Sequence, residues 1–332
     1  MKRPKGLYIL RPDAYESIYG APERNDIEEL VEIYAPPQTA ESICEQPELL
    51  AEANVVISGW GMPRLDKTLL AHAPNLSAIF YGAGSIRGFV TEAMWQRGIR
   101  VTSAYAANAI PVSEYALATI LFSLKHGWRF AATVRRDHRY PPREHMPGSY
   151  GSTIGLISLG MVGRIVRERL RPFDVRVIAY DPFTSAEDAA RLDLTLVSLD
   201  ELFATADVVS LHAPLLEETK NMITGAHFAA MKPGATFINT ARGAIVCEDE
   251  MIAVLTERPD IQAVLDVTYP EPPAATSPLY TLFNVVLTPH IAGSLGAERH
   301  RMGRFMVEEL RRYIAGQPLQ WEISKERADT MA

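Results

Sequence analysis

Cysteine is scarce in this chain. Its two thiols, Cys44 and Cys247, show no spacing that suits a metal site or a disulfide framework. That usage fits a reducing compartment, so a cytoplasmic protein is expected. Long apolar runs are missing too. The N-terminal stretch has only the five-residue patch Gly6–Leu10 before Arg11, too short for a signal peptide. The most apolar segment, Tyr115–Leu124, is half the length of a bilayer span and is flanked by Glu114 and Lys125. No membrane partner is expected. There is no basic excess either: 33 Lys and Arg against 40 Asp and Glu leave a net charge of −7. Without blocks of like charge, the chain offers no general surface for nucleic acid.

What is present is an average globular composition, 47% apolar and 22% charged, over 332 residues. At roughly 150 residues per domain, that length suits two domains. Short apolar runs recur at Gly6–Leu10, Asn54–Ser58, Ser77–Tyr81, Thr153–Leu159, Val175–Tyr180, Asp207–Leu211, Thr236–Asn239, Gln262–Val267 and Asn284–Leu287. A further strand-like run is Ile99–Thr102. Most are continuous rather than alternating, as in strands covered on both faces. Helical patterns lie between them, for example Pro63–His72, Thr91–Gly98, Gly163–Leu170 and Asp249–Arg258. This alternation predicts an α/β protein of parallel, doubly wound sheets, and the number of strands predicts two sheets in two domains.

A long helical pattern over Asn108–Lys125 is opened by Pro111 and Ser113, and a second, Ala297–Ile314, closes the chain. Between them, Arg136–Ser152 reads as an exposed arm. Chain crossings are expected near Tyr105–Ala109 and Gly293–Leu295. One domain is then 1–106 with 294–332, and the other is 107–293.

Three segments carry chemistry. In the first, an apolar strand runs through Ser158 into Gly160 and Gly163 and straight into a helix. Small residues there let a backbone approach a pyrophosphate at a helix N-terminus, although Ser158 stands where the fingerprint has its first glycine. In the second, the next strand ends at Asp181, eighteen residues after Gly163, near the ~20 expected of an acid that binds the adenosine ribose. Asp181 is equally a cap for the turn at Pro182. With no cation following until Arg191, NAD is expected rather than NADP. In the third, Arg242, Glu271 and His290 each follow the end of a predicted strand, the edge where open α/β sheets bind ligands. A guanidinium to hold a 2-oxo acid, an imidazole to carry the alcohol proton and a carboxylate to orient it are what hydride transfer requires. Singly, each has an ordinary reading: an ion pair, a solvated loop acid, a buried histidine.

Together these segments resemble the D-isomer-specific 2-hydroxyacid dehydrogenase family over residues 150–295. Leu211-His-Ala-Pro-Leu-Leu-Glu-Glu-Thr219 and Phe228-Ala-Ala-Met-Lys-Pro-Gly234 are similar to its loops, and Arg100–Glu114 is similar to its crossing between domains. The resemblance implies a Rossmann NAD-binding domain beside a flavodoxin-like substrate domain. It gives Arg242 the substrate's carboxylate and carbonyl, His290 the acid/base role and Glu271 the pairing with His290. Cofactor contacts fall on Gly160, Met161, Val162, Gly163, Asp181, His212, Ala213, Thr219, Thr240, Ala241, Asp266, His290 and Gly293. The amides of Ala83 and Gly84 complete the carboxylate cradle. A homodimer through the NAD-binding domain is implied as well, with the apolar face of Ala109–Lys125 and the arm as its means.

There are departures. Ser158 puts a Cβ into the tight turn. Ser85-Ile-Arg-Gly88 stands where family members usually carry an acidic or amide group. Trp60, at the end of a strand, either lines the pocket or packs structurally. The function expected is an NAD-dependent oxidoreductase interconverting a D-2-hydroxy acid and its 2-oxo acid. A non-catalytic NAD(H)-sensing protein on the same fold is the alternative.

Overall fold

The computed structural model describes residues 3–143 and 146–331. Glu144 and His145, two residues of the expected arm, lie outside the described residues. The chain divides into two compact units, Met1–Asn108 with Ser294–Ala332 and Ala109–Gly293.

Unit 1 holds a five-stranded parallel sheet: β1 (Lys5–Ile9), β2 (Glu32–Ile33), β3 (Val55–Ser58), β4 (Ala78–Tyr81) and β5 (Arg100–Ser103), in the order β2-β1-β3-β4-β5. Every residue of β3 and β4 is buried, which is why both read as continuous apolar runs. Successive side chains go to opposite faces. Leu7, Ile9, Val56, Ile79 and Val101 build one core. Tyr8, Leu10, Val55, Ile57 and Phe80 build the other, against Met302, Met306 and Leu310 of the closing helix Glu298–Ile314.

Unit 2 holds seven parallel strands: β6 (Thr153–Ile157), β7 (Arg176–Tyr180), β8 (Thr195–Leu196), β9 (Val208–Leu211), β10 (Thr236–Asn239), β11 (Gln262–Leu265) and β12 (Val285–Leu287). Their order is β12-β11-β10-β9-β6-β7-β8. The order reverses between β6 and β9, the dinucleotide-binding arrangement; in unit 1 it reverses between β1 and β3, as in flavodoxin-like sheets. Both sheets of the expected fold class are therefore present. The sequence patterns missed β2 and β8, edge strands of two residues each, too short to show any period.

One helix boundary needs correction. The long helix runs over Tyr105–Ser123, so Pro111 lies inside it rather than opening it. The Ser103 hydroxyl accepts the Tyr105 amide at 3.2 Å and so serves the true N-terminus. Ser113, read as part of the opening, instead donates its hydroxyl to the Ile110 carbonyl. Pro111 is tolerated because it sits near the start of a helix whose later residues Ala116 and Ile120, with Leu124 just past its end, are locked into the unit 2 core. The arm is also shorter than expected, since a helix extends over Gly127–Asp137 and none of its residues is buried. Among the described residues no single helix is long and apolar enough to cross a membrane.

The two chain crossings are tied within unit 1, where the Ser294 amide donates to Asn108 Oδ1 at 2.8 Å. The edge of β5 is covered by the segment 321–323: Ile323 N donates to Val101 O, and Arg100 makes a bidentate pair with Glu322 at 2.7 Å.

Candidate active site

Parallel strands bring their following loops to one edge of a sheet. In unit 2 that edge starts at the turn after β6. Ser158 adopts φ 75°, and Gly160 then caps the helix Met161–Leu170. A non-glycine residue is disfavoured there by roughly 1–2 kcal/mol, so Ser158 has been forced into the conformation of the glycine it replaces. Gly163 has no such latitude: a Cβ would meet the Ser158 carbonyl oxygen at 2.2 Å. No side chain caps this helix. The amides of Met161, Val162 and Gly163 are left at its positive end, as an anion site requires.

Asp181, just past β7, binds this turn to the next strand. One carboxylate oxygen accepts the Leu159 amide at 2.6 Å and the other accepts the Phe183 amide at 2.8 Å. The turn-capping reading of Asp181 is thus met, and with about four acceptor positions on a carboxylate, room remains for ribose hydroxyls. Sequence reasoning missed Arg164, whose Nε donates to the Leu159 carbonyl at 2.8 Å and holds a guanidinium at the same turn. Its signal was a cation directly after Gly163.

His212 follows β9, and its Cβ stands 3.9 Å from where a Gly163 Cβ would be. Both its ring nitrogens are buried without a partner, and burial pushes its pKa down to about 4. The Thr240 hydroxyl is likewise buried and unpartnered. A turn that admits no Cβ, an uncapped helix end and two orphaned polar groups fit NAD, which the Met161 and Val162 amides, Asp181, His212 and Thr240 would hold. Thr219 is different: its hydroxyl accepts from Leu216 N and donates to Pro214 O, shaping its own loop. Ala213 is buried, and Ala241 and Gly293 are partly so.

The loops after β10, β11 and β12 meet at this edge. Asn239, ending β10, braces the loop beyond the strand: its Oδ1 accepts Ala241 N at 2.9 Å and its Nδ2 donates to Arg242 O at 3.1 Å. Gly243 lies so close to the next loop that a Cβ would come within 2.0 Å of the Thr268 carbonyl carbon. Between them Arg242 is half-buried. Its Nη1 donates to the Ala241 carbonyl at 2.6 Å, and no carboxylate among the described residues forms an ion pair with it. Burial lowers its pKa, and the charge of Glu271 raises it. The guanidinium stays cationic in any case and is available for an anion.

Glu271 and His290 form the second half of the site, with Glu271 Oε1 2.6 Å from His290 Nδ1. What holds His290 there is Asp266, 2% exposed. Its Oδ1 accepts Thr288 Oγ1 at 2.6 Å and Ile291 N at 2.8 Å, and its Oδ2 accepts Ala292 N at 2.8 Å. The Asp266 carbonyl accepts the His290 amide. Tyr115 adds a hydroxyl contact to Thr288 Oγ1 at 2.8 Å. Read from sequence as a cofactor contact, Asp266 spends its carboxylate on the loop that carries His290. Ala83 and Gly84 belong to unit 1, where their carbonyls accept the Ser103 hydroxyl. Arg87 is engaged as well: it donates to the Asp329 and Met331 carbonyls at 2.8 Å.

Asp266→Asn should expose this dependence. An amide must turn an NH2 toward at least one of the backbone N–H groups, removing about 1–3 kcal/mol. Hydrogen exchange at Ile291 and Ala292 should accelerate about 10-fold or more. Unchanged exchange at both amides would show that the loop stands without the carboxylate.

Residues 117–292 match the family described as D-isomer specific 2-hydroxyacid dehydrogenase, NAD binding domain. The chain is 36% identical over 254 residues to an (S)-sulfolactate dehydrogenase of Chromohalobacter salexigens, covering 76% of this chain and 82% of that protein. It is 34% identical over 255 residues to the D-3-phosphoglycerate dehydrogenase of Mycobacterium tuberculosis, covering 76% of this chain and 48% of that protein. The chain therefore spans about half the length of the phosphoglycerate dehydrogenases it matches. Among solved structures, the TT0316 protein from Thermus thermophilus superposes with a TM-score of 0.76 at 29% identity, over 96% of this chain and 99% of that one. With a matching domain that takes in more than half the chain and relatives similar along most of it, this protein belongs to the D-isomer specific 2-hydroxyacid dehydrogenase family, and residues 117–292 form its NAD-binding domain.

Proposed function

We propose that the protein is an NAD-dependent dehydrogenase that interconverts a D-2-hydroxy acid and its 2-oxo acid. One observation carries the reading: at a single edge of unit 2, Arg242 holds a half-buried charge that no carboxylate among the described residues pairs, while His290 is oriented through Nδ1 by Glu271 at 2.6 Å. Bound NADH would supply the hydride. Arg242 binds the substrate carboxylate and polarises the adjacent carbonyl, for which a planar fork of donors is suited. His290 presents its other nitrogen, Nε2, to the oxygen at C2, giving a proton in reduction and taking it in oxidation. Glu271 fixes the ring and stabilises the imidazolium. Two of the relatives are named for acids that carry a second anionic group, phosphate or sulfonate.

The His290→Ala protein should bind NADH within a few-fold of wild type and lose turnover by ~10²–10⁴ on a panel of 2-oxo acids. Near wild-type kcat would remove His290 from the mechanism. NADH bound with no oxidation by any 2-oxo acid would favour an NAD(H)-sensing protein instead. In the same assay Asp181→Ala should weaken NADH and shrink its advantage over NADPH, since both an acceptor and a repelling charge vanish. A wild type indifferent to the 2′-phosphate would contradict that role.

The reading includes a homodimer through the NAD-binding domain. Leu117 and Leu121 stay half-buried and Phe122 is 43% exposed on the long helix, and no residue of the helix Gly127–Asp137 is fully buried. Tyr140 and Tyr150 of the arm are 89% and 87% exposed. An isologous pairing covers both patches at once. Sedimentation equilibrium at micromolar concentration should give twice the mass of one chain, and a single-chain mass would rule the dimer out.

A further inference from the structure

We propose that the Ser158 hydroxyl binds the adenosine ribose of NAD beside Asp181, so that the residue standing in place of the fingerprint's first glycine strengthens dinucleotide binding instead of weakening it. This deepens the cofactor reading, rests on Asp181 as the ribose acid, and involves unit 2 alone. Strand register sets the pair side by side. β6 and β7 run parallel with Ile157 opposite Tyr180, and the Ser158 amide donates to the Tyr180 carbonyl at 2.8 Å. Ser158 and Asp181 are the next residues past that pair, at the edge where open α/β sheets take ligands. With φ 75°, Ser158 bears a strain that glycine would not feel. Strain kept at a binding edge points to something the side chain does there.

What the side chain offers is an uncommitted hydroxyl. Ser158 Oγ stands 3.4 Å from Asp181 Oδ2, beyond the usual range of an O–H···O bond, and it makes no other hydrogen bond among the described residues. It also lies 4.0 Å from where a Gly160 Cβ would be, which sets it between the glycine turn and the carboxylate. Asp181 is held in place by two backbone amides, Leu159 on Oδ2 at 2.6 Å and Phe183 on Oδ1 at 2.8 Å. Each oxygen therefore keeps one acceptor position. A fixed carboxylate with a free hydroxyl 3.4 Å away suits a vicinal diol. One ribose hydroxyl donates to Asp181, and its neighbour exchanges a hydrogen bond with Ser158. A glycine at 158 would leave the ribose to Asp181 alone. The opposing reading, that the Cβ of Ser158 only crowds the turn, requires glycine to bind the dinucleotide more tightly.

The two readings part on NADH affinity, measured by fluorescence titration of wild type, Ser158→Gly and Ser158→Ala. Both variants should bind NADH about 3–10-fold more weakly, the scale of one hydrogen bond. Glycine relieves the strain and alanine retains it, so a similar loss in both assigns the effect to the hydroxyl and not to the turn. Thermal melting of the free proteins checks the fold, and the Gly variant should melt no lower than wild type. NADH analogues lacking the adenosine 2′- or 3′-hydroxyl complete the cycle. On at least one of them the Ser158→Ala penalty should shrink to about two-fold or less, because the ligand no longer carries the group that Ser158 meets. NADH bound as tightly as wild type by either variant would overturn the proposal, as would an undiminished penalty on both analogues. Unchanged NADH affinity in Asp181→Ala would remove the ribose acid and the proposal with it. Because binding is the readout, a protein that reduces no 2-oxo acid fails the dehydrogenase reading alone, and the Ser158 variants still decide this one.

Discussion

A carboxylate sealed from water organises the chemistry of this protein. Asp266 accepts three donors from the loop Thr288–Ala292, and its carbonyl takes the His290 amide. A charge that is 2% exposed persists only when its acceptor positions are met, so loop and carboxylate define each other. His290 sits inside that arrangement with φ 54°, a conformation a histidine keeps only where its surroundings insist on it. The ring is then free to spend Nδ1 on Glu271 and present Nε2 elsewhere.

The same economy governs the cofactor edge. Ser158 holds a left-handed turn at a position better suited to glycine, and Asp181 stabilises that turn by accepting the Leu159 amide. Gly163 cannot be other than glycine because the Ser158 carbonyl occupies the space. Beyond the turn, unpartnered groups on His212 and Thr240 stay buried. Such groups are costly to leave unmet, and a bound dinucleotide would meet them.

The architecture was legible where burial on both faces writes itself as unbroken Val, Ile, Leu and Phe, as in β3, β4 and β9. It was illegible at β2 and β8, which are held by pairing to a neighbour rather than by their own residues. The start of the long helix was misplaced because Pro111 is a strong opening signal and the Ser103 cap lies eight residues earlier, across a strand end. At the candidate site, Arg242, Glu271 and His290 were found from their chemistry and their place after strands. The organising role of Asp266 was not, since three acceptances from residues more than twenty positions away leave no local pattern. Arg87 shows the converse: a conspicuous sequence departure whose guanidinium is engaged by two backbone carbonyls.

The proposed hydride transfer to C2 of a 2-oxo acid depends on the guanidinium of Arg242, which no carboxylate among the described residues pairs, and on the oriented imidazole of His290. Reduction with NADH deuterated at C4 tests it most directly, by mass spectrometry and chiral analysis of the product. The account predicts one deuterium at C2 of a hydroxy acid of D configuration, lost together with turnover in His290→Ala. NADH bound tightly with no deuterium delivered to any 2-oxo acid, or delivered undiminished without His290, would contradict it.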